Sequence, residues 1–138
     1  MEKESKFRTM NEIDERPWGK YEVLLDDPTT KVKRITVNPG QKLSYQYHHK
    51  RQECWIVTKG NLTIVLDDEK VFREYGQSIR IPKGAKHRAW NETDEIVEFI
   101  EDENYGPATY NMFSGIAEYV DAHMPRGEIV KKITSSLN

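Results

Sequence analysis

Gln46, His48, Glu53 and His87 are the residues of this chain whose types and spacing could do chemistry together. On an extended strand, residues 46 and 48 project to one face while Tyr47 and His49 project to the other. A turn over residues 50–52 would bring Glu53 back on the neighbouring antiparallel strand, and His87 would arrive from a separate strand about 40 residues later. One amide oxygen, two imidazoles and one carboxylate form a mixed nitrogen and oxygen set suited to Zn, Mn, Fe, Co or Ni, with positions left open for substrate or water. Taken singly, each of these residues is unremarkable, since a lone His, Gln or Glu in a strand is usually a satisfied or solvated polar group. Their convergence is what carries meaning.

Such a site needs strands to position it, and the pattern from Arg16 onward supplies them. Short runs with period-two alternation cover residues 20–25, 32–37, 43–48, 53–58, 61–66, 70–74, 78–81, 87–90 and 96–100. Between them stand turn formers: Asp26-Asp27-Pro28, Asn38-Pro39-Gly40, Lys59-Gly60-Asn61, Asp67-Asp68-Glu69 and Tyr75-Gly76-Gln77. No stretch of ten or more helical residues intervenes, so crossover helices and a parallel sheet are excluded, and an antiparallel sandwich or barrel remains. Residues 1–15 are almost entirely polar and read as an arm. The segment 16–106 reads as the barrel. In 107–138, Phe113, Ile116, Tyr119, Val120 and Met124 share one helical face and Pro125 ends it, which predicts a C-terminal helix.

Composition sets the outer limits. The 138 residues amount to one domain. With 21 Lys and Arg against 23 Asp and Glu, the net charge of −2 provides no basic field for nucleic acid or an anionic membrane. No run approaches the roughly 20 apolar residues that span a bilayer, and the N-terminus lacks the apolar core of a signal peptide. A cytoplasmic protein is expected, in keeping with the single Cys54, which can form no intrachain disulfide. A small sheet with exposed edges also predicts a homodimer.

Two glycine and proline frames surround the four candidate ligands. The first runs Gly40, five residues, Gln46-Tyr47-His48, four residues, Glu53, six residues, Gly60. The second runs Gly76, five residues, Pro82, one residue, Gly84, two residues, His87, three residues, Asn91. Together they resemble the paired signature of the cupin superfamily, which implies an all-β jelly-roll barrel, the double-stranded β-helix. Most metal-binding cupins carry His where this chain has Gln46, and a Gln-x-His pair with a Glu and a later His resembles the metal set of phosphomannose isomerases. The surrounding text, Arg16-Pro17-Trp18-Gly19-Lys20-Tyr21, Val32-Lys33-Arg34-Ile35, His48-His49, Arg51, Trp55-Ile56-Val57, Ile81-Pro82 and His87-Arg88, resembles the type II family. There the cupin commonly forms the C-terminal part of a bifunctional mannose-1-phosphate guanylyltransferase and mannose-6-phosphate isomerase. This chain leaves the family pattern after Ile100, passing to Asp102-Glu103-Asn104-Tyr105-Gly106 in place of a Gly-Glu-Asp-Asp-containing stretch.

The resemblance implies interconversion of mannose 6-phosphate and fructose 6-phosphate around one divalent ion, zinc first, with Mn, Co, Ni or Fe as alternatives. Gln46, His48, Glu53 and His87 would hold it. A sugar phosphate needs cations, and Lys33, Arg34, Lys50, Arg51 and Arg88 are available. Lys33 and Arg88 are the candidates singled out for catalysis and binding, with His49 as a candidate general base if it does not simply face solvent or a second subunit. Two other functions compete. One is a non-catalytic cupin that keeps the metal and binds a sugar phosphate or nucleotide sugar; the other is an oxygen-using iron enzyme.

Overall fold

A computed structural model describes residues 12–106, and the alternation is realised there as nine strands. They are β1 (Ile13–Arg16), β2 (Gly19–Asp26), β3 (Thr30–Val37), β4 (Gln52–Lys59), β5 (Leu62–Leu66), β6 (Glu69–Arg73), β7 (Ser78–Ile81), β8 (His87–Trp90) and β9 (Val97–Asn104). Six form one sheet in the order β1-β2-β3-β9-β4-β7, and three form a second in the order β6-β5-β8. Every ladder is antiparallel. The last strand therefore lies between the third and the fourth, and closes the larger sheet.

One face of each sheet is apolar because alternate residues of each strand point the same way. Ile35, Val57 and Phe99 from the larger sheet meet Leu62, Ile64 and Ala89 from the smaller one in a single buried cluster. Two sheets packed through such faces, with Trp55 and Phe99 rings 4.7 Å apart between them, make the double-sheet jelly roll expected from the sequence.

The two frames have physical work to do. Gly40, Gly60, Gly76 and Gly84 all take φ between +75° and +81°, a region that residues with a Cβ rarely occupy. Asn91, fully buried, donates from Nδ2 to the carbonyls of Val37 (2.9 Å) and Glu95 (2.6 Å). Its Oδ1 accepts from the Thr93 amide and hydroxyl, so one side chain holds the turn between β8 and β9 and ties it to β3.

Several expectations are corrected. A strand begins at Ile13, inside the stretch read as a polar arm, because Ile13 to Arg16 pair with Glu22 to Gly19 at the edge of the larger sheet. Residues 43–48 are not a continuous strand. They run beside β8 with isolated bridges at Lys42↔Trp90 and Gln46↔His87, and the register slips by one residue between the two. The final strand does not stop at residue 100 but continues to Asn104, paired on both sides. Glu53 lies on β4, whose partners are β7 and β9, so it is not the strand neighbour of residues 46–48. The arm over residues 1–11 and the helix expected in 107–138 lie outside the described residues. Among the described residues, no helix is long and apolar enough to cross a membrane.

Candidate metal centre

At one end of the barrel the apolar cluster gives way to a cavity of about 330 Å³ between the sheets, with Lys33, Gln46, His48, Arg51, His87 and Glu103 among its lining residues. His48, Glu53 and His87 each present one ligand atom there, all within 4.8 Å of one another. They come from three directions: the irregular segment beside β8, the start of β4, and the start of β8. Convergence across the barrel, and not the hairpin neighbourhood expected from the sequence, is what brings Glu53 to the histidines.

Hydrogen bonds fix how each group is presented. The His87 Nδ1 lies 3.0 Å from the Ala85 carbonyl. A carbonyl only accepts, so Nδ1 carries the proton and Nε2 keeps its lone pair. His48 Nε2 lies 2.9 Å from Arg51 Nη2, and a guanidinium only donates, so this nitrogen carries no proton and its lone pair accepts from Arg51. Both Nε2 atoms face Glu53 Oε2, at 3.4 Å from His48 and 3.7 Å from His87. The other carboxylate oxygen, Oε1, accepts the indole N–H of Trp55 at 2.8 Å, while Oε2 faces the histidines and accepts from Arg51.

The electrostatics agree with a cation site. Burial lowers the pKa of His48, and the Arg51 charge lowers it further, so its imidazole is neutral where a metal would need it. Burial alone would raise Glu53. The hydrogen bond from Glu101, the Arg51 charge, His87 and the Trp55 indole outweigh that and hold it well below the usual carboxylate range. Arg51 donates from Nε to Glu53 Oε2 at 2.9 Å, so these lone pairs already face a positive charge. Two imidazole nitrogens and one carboxylate oxygen within 4.8 Å of one another are a donor set that suits a divalent ion, to which Arg51, donating to two of them, would have to yield. Gln46 borders the same cavity, and its backbone exchanges both hydrogen bonds with His87 (3.0 and 2.8 Å).

The remaining candidates fall out differently. Lys33 reaches the cavity, with its ammonium 3.0 Å from Glu103 and over the Tyr21 ring. Burial opposes its charge, but the carboxyl groups packed against it, Glu103 at ion-pair distance among them, outweigh that and raise its pKa. Arg88 borders the cavity, and its Nε donates to the Leu43 carbonyl at 2.7 Å, which holds the Gln46 segment against β8. His49 is not brought to the cavity. It is exposed and packs edge-on against Tyr47, with ring centroids 4.9 Å apart.

Three residues join the site that the sequence did not single out. Arg51 was one cation among several, and it turns out to touch His48, Glu53, Glu103 and Tyr105. Glu101 and Glu103 were missed altogether. Burial, then the charge of Glu53, push Glu101 well above the ordinary carboxylate range, so it is protonated and hydrogen-bonded to Glu53. The signal was available, because Val97, Phe99, 101 and 103 continue one inward alternation.

The family described as mannose-6-phosphate isomerase C-terminal matches residues 3–106. The mannose-1-phosphate guanylyltransferase of Escherichia coli (strain K12) is 41% identical over 86 residues, covering 62% of this chain and 18% of that protein. The alginate biosynthesis protein AlgA of Pseudomonas putida is 31% identical over 137 residues, covering 96% of this chain and 28% of that one. The chain thus spans well under a third of the length of these relatives. Among solved structures, KdgF from Halomonas sp. superposes with a TM-score of 0.66 at 16% identity, over 77% of this chain and 97% of that one. An RmlC-like cupin from Shewanella frigidimarina gives 0.66 at 18% identity, over 78% and 97%. These two likenesses establish the fold, a cupin double-stranded β-helix. Sequence match, fold and converging ligand atoms agree, and this chain belongs to the mannose-6-phosphate isomerase C-terminal family of cupins.

Proposed function

We propose that the protein is a metal-dependent aldose-ketose isomerase acting on a sugar phosphate, with mannose 6-phosphate and fructose 6-phosphate as the pair. The observation that carries this reading is the cluster of His48, Glu53 and His87, with ligand atoms within 4.8 Å, at the end of a cavity that also holds Lys33 and Arg51. His48, Glu53 and His87, with Gln46 as the fourth donor, would hold one divalent ion, zinc first. When bound, that ion supplies Lewis acidity to sugar oxygens.

The chain's own residues do the rest. Isomerisation moves a proton between C1 and C2 while negative charge develops on the neighbouring oxygens. Lys33 and Arg51 border the cavity, and their positive charges would stabilise that developing charge. Glu101, kept protonated beside Glu53, keeps that carboxylate charged and pointed at the centre. Trp55 and the apolar cluster beneath it close the floor to water. Arg88 acts as a positioning residue through the Leu43 carbonyl.

The test is direct. Metal-loaded protein incubated with mannose 6-phosphate should release fructose 6-phosphate in a linked assay. Absence of turnover with each of Zn, Mn, Co and Ni overturns the reading. A second reading, a sugar-phosphate-binding cupin without turnover, is favoured by Glu103, which already engages both Lys33 and Arg51. Thermal stabilisation by the sugar phosphate without conversion would select it. A homodimer belongs to either reading, and light scattering at one chain mass over a range of concentrations would remove it.

A further inference from the structure

Glu103 has no counterpart among the residues that hold the candidate ion, yet its side chain is 1% exposed and lies on the cavity wall. Its Oε2 is 3.0 Å from Lys33 Nζ and its Oε1 is 3.4 Å from Arg51 Nη1. The Tyr105 hydroxyl lies 3.2 Å from Oε1 and accepts from Arg51 at 3.0 Å, closing a ring of contacts. In the ladder between β4 and β9, Glu103 stands directly opposite Glu53, a like-charge pair that is unfavourable unless a cation lies between. Arg51 is that cation, touching Glu53 at 2.9 Å and Glu103 at 3.4 Å.

The Glu103 carboxylate thus engages both cations of this corner, Lys33 and Arg51, from the cavity wall. A phosphate approaching Lys33 and Arg51 would lie against that carboxylate and would have to displace it from both cations. A hydroxyl meets no such opposition, because it can donate to Glu103 and accept from Lys33.

We infer that Glu103 is a specificity-determining residue: it reserves the Lys33 and Arg51 corner for the neutral hydroxyl edge of a ligand and keeps phosphate out of it. Applied to a sugar phosphate, the inference rests on the isomerase reading and orients that substrate with its phosphate away from β9. The charge argument itself needs only inorganic phosphate.

The experiment is calorimetric titration of the full, zinc-loaded chain with inorganic phosphate, comparing wild type, Glu103→Gln and Glu103→Gln with Lys33→Met. Any phosphate held by the ion is common to all three, so the differences report on the corner. Glu103→Gln should bind phosphate at least tenfold more tightly than wild type, and a smaller gain overturns the inference. The double variant removes both members of the ion pair, and should return to within threefold of wild type. A larger deviation in either direction overturns the inference, and this arm decides alone if Glu103→Gln does not fold. Turnover of mannose 6-phosphate is scored separately: a protein with no turnover whose Glu103→Gln variant gains phosphate affinity loses the isomerase reading and keeps this one.

Discussion

Along β3 and β9 the inward residues change character at the same level of the barrel, and along β4 one inward position later. Val37 and Ile35 give way to Lys33, Val57 and Trp55 to Glu53, and Val97 and Phe99 to Glu101 and Glu103. The ladders pair Ile35 and Val57 with Phe99 and Lys33 with Glu101, while Trp55 still faces Glu101 and the change on β4 comes with Glu53 opposite Glu103. One half of the interior is thus a packed apolar floor and the other a charged cup on the same strands. Because a strand repeats every two residues, the swap alters side chains without altering backbone. Burying an apolar side chain of this size contributes about 1.5–3 kcal/mol, whereas burying an ion costs several kcal/mol unless it is well paired. The floor stabilises a fold that can carry the cup.

The comparison breaks first if the floor is not what holds the molecule together. Phe99→Ala, at a fully buried position between Trp55 and the apolar cluster, should lower unfolding free energy by about 3–5 kcal/mol in a denaturant titration. A loss below about 1 kcal/mol would mean that stability resides elsewhere.

Substitutions in the cup should instead cost metal. His48→Ala and His87→Ala should each strip the ion from the purified protein by elemental analysis, and a chelator should lower the melting temperature of the loaded wild type. His49→Ala, one residue away but exposed beside Tyr47, should leave metal content unchanged. Equal loss in all three would contradict the geometry described here.

A smaller effect sharpens the contrast through pH. Glu101 is protonated in the folded state and ionised when unfolded at neutral pH, so the native state binds the extra proton and stability falls as pH rises above the ordinary carboxylate range. The slope is up to about 1.4 kcal/mol per pH unit for one proton. Glu101→Gln keeps a donor toward Glu53 without that proton. On metal-free protein it should therefore be more stable than wild type at pH 8 and nearly equal at pH 5. Parallel stability profiles for the two proteins would rule out a protonated Glu101.

Much of this was legible in the sequence, and what was not has identifiable causes. Alternation and turn residues located eight of the nine strands, and two frames of glycine, proline and histidine pointed to the fold and to the candidate ligands. The strand at Ile13–Arg16 was hidden because it offers one apolar side chain in four, and its order comes from pairing with β2. The alternation from Val97 carries Glu101 and Glu103 to the inward face, but the strand partners that bury them, Lys33 and Trp55 for the one and Lys31 and Glu53 for the other, are distant in sequence. Acidic residues at the end of a strand ordinarily read as solvated, and only the closure of the sheet turns them into cavity wall.

The segment that carries Gln46 and His48 joins β8 through two isolated bridges, whereas Glu53 and His87 sit within ladders. Its backbone is held by few bonds: Leu43 to Ala89 and to the Arg88 side chain, the reciprocal pair between Gln46 and His87, and the His48 carbonyl to Gly84. Weakly laddered backbone opens locally at a small fraction of the global unfolding free energy. Two of the four candidate donors thus sit on weakly laddered backbone and the other two within ladders, and an ion held by all four would have a stepwise path in and out through opening of residues 43–48, with no need for the sheets to part.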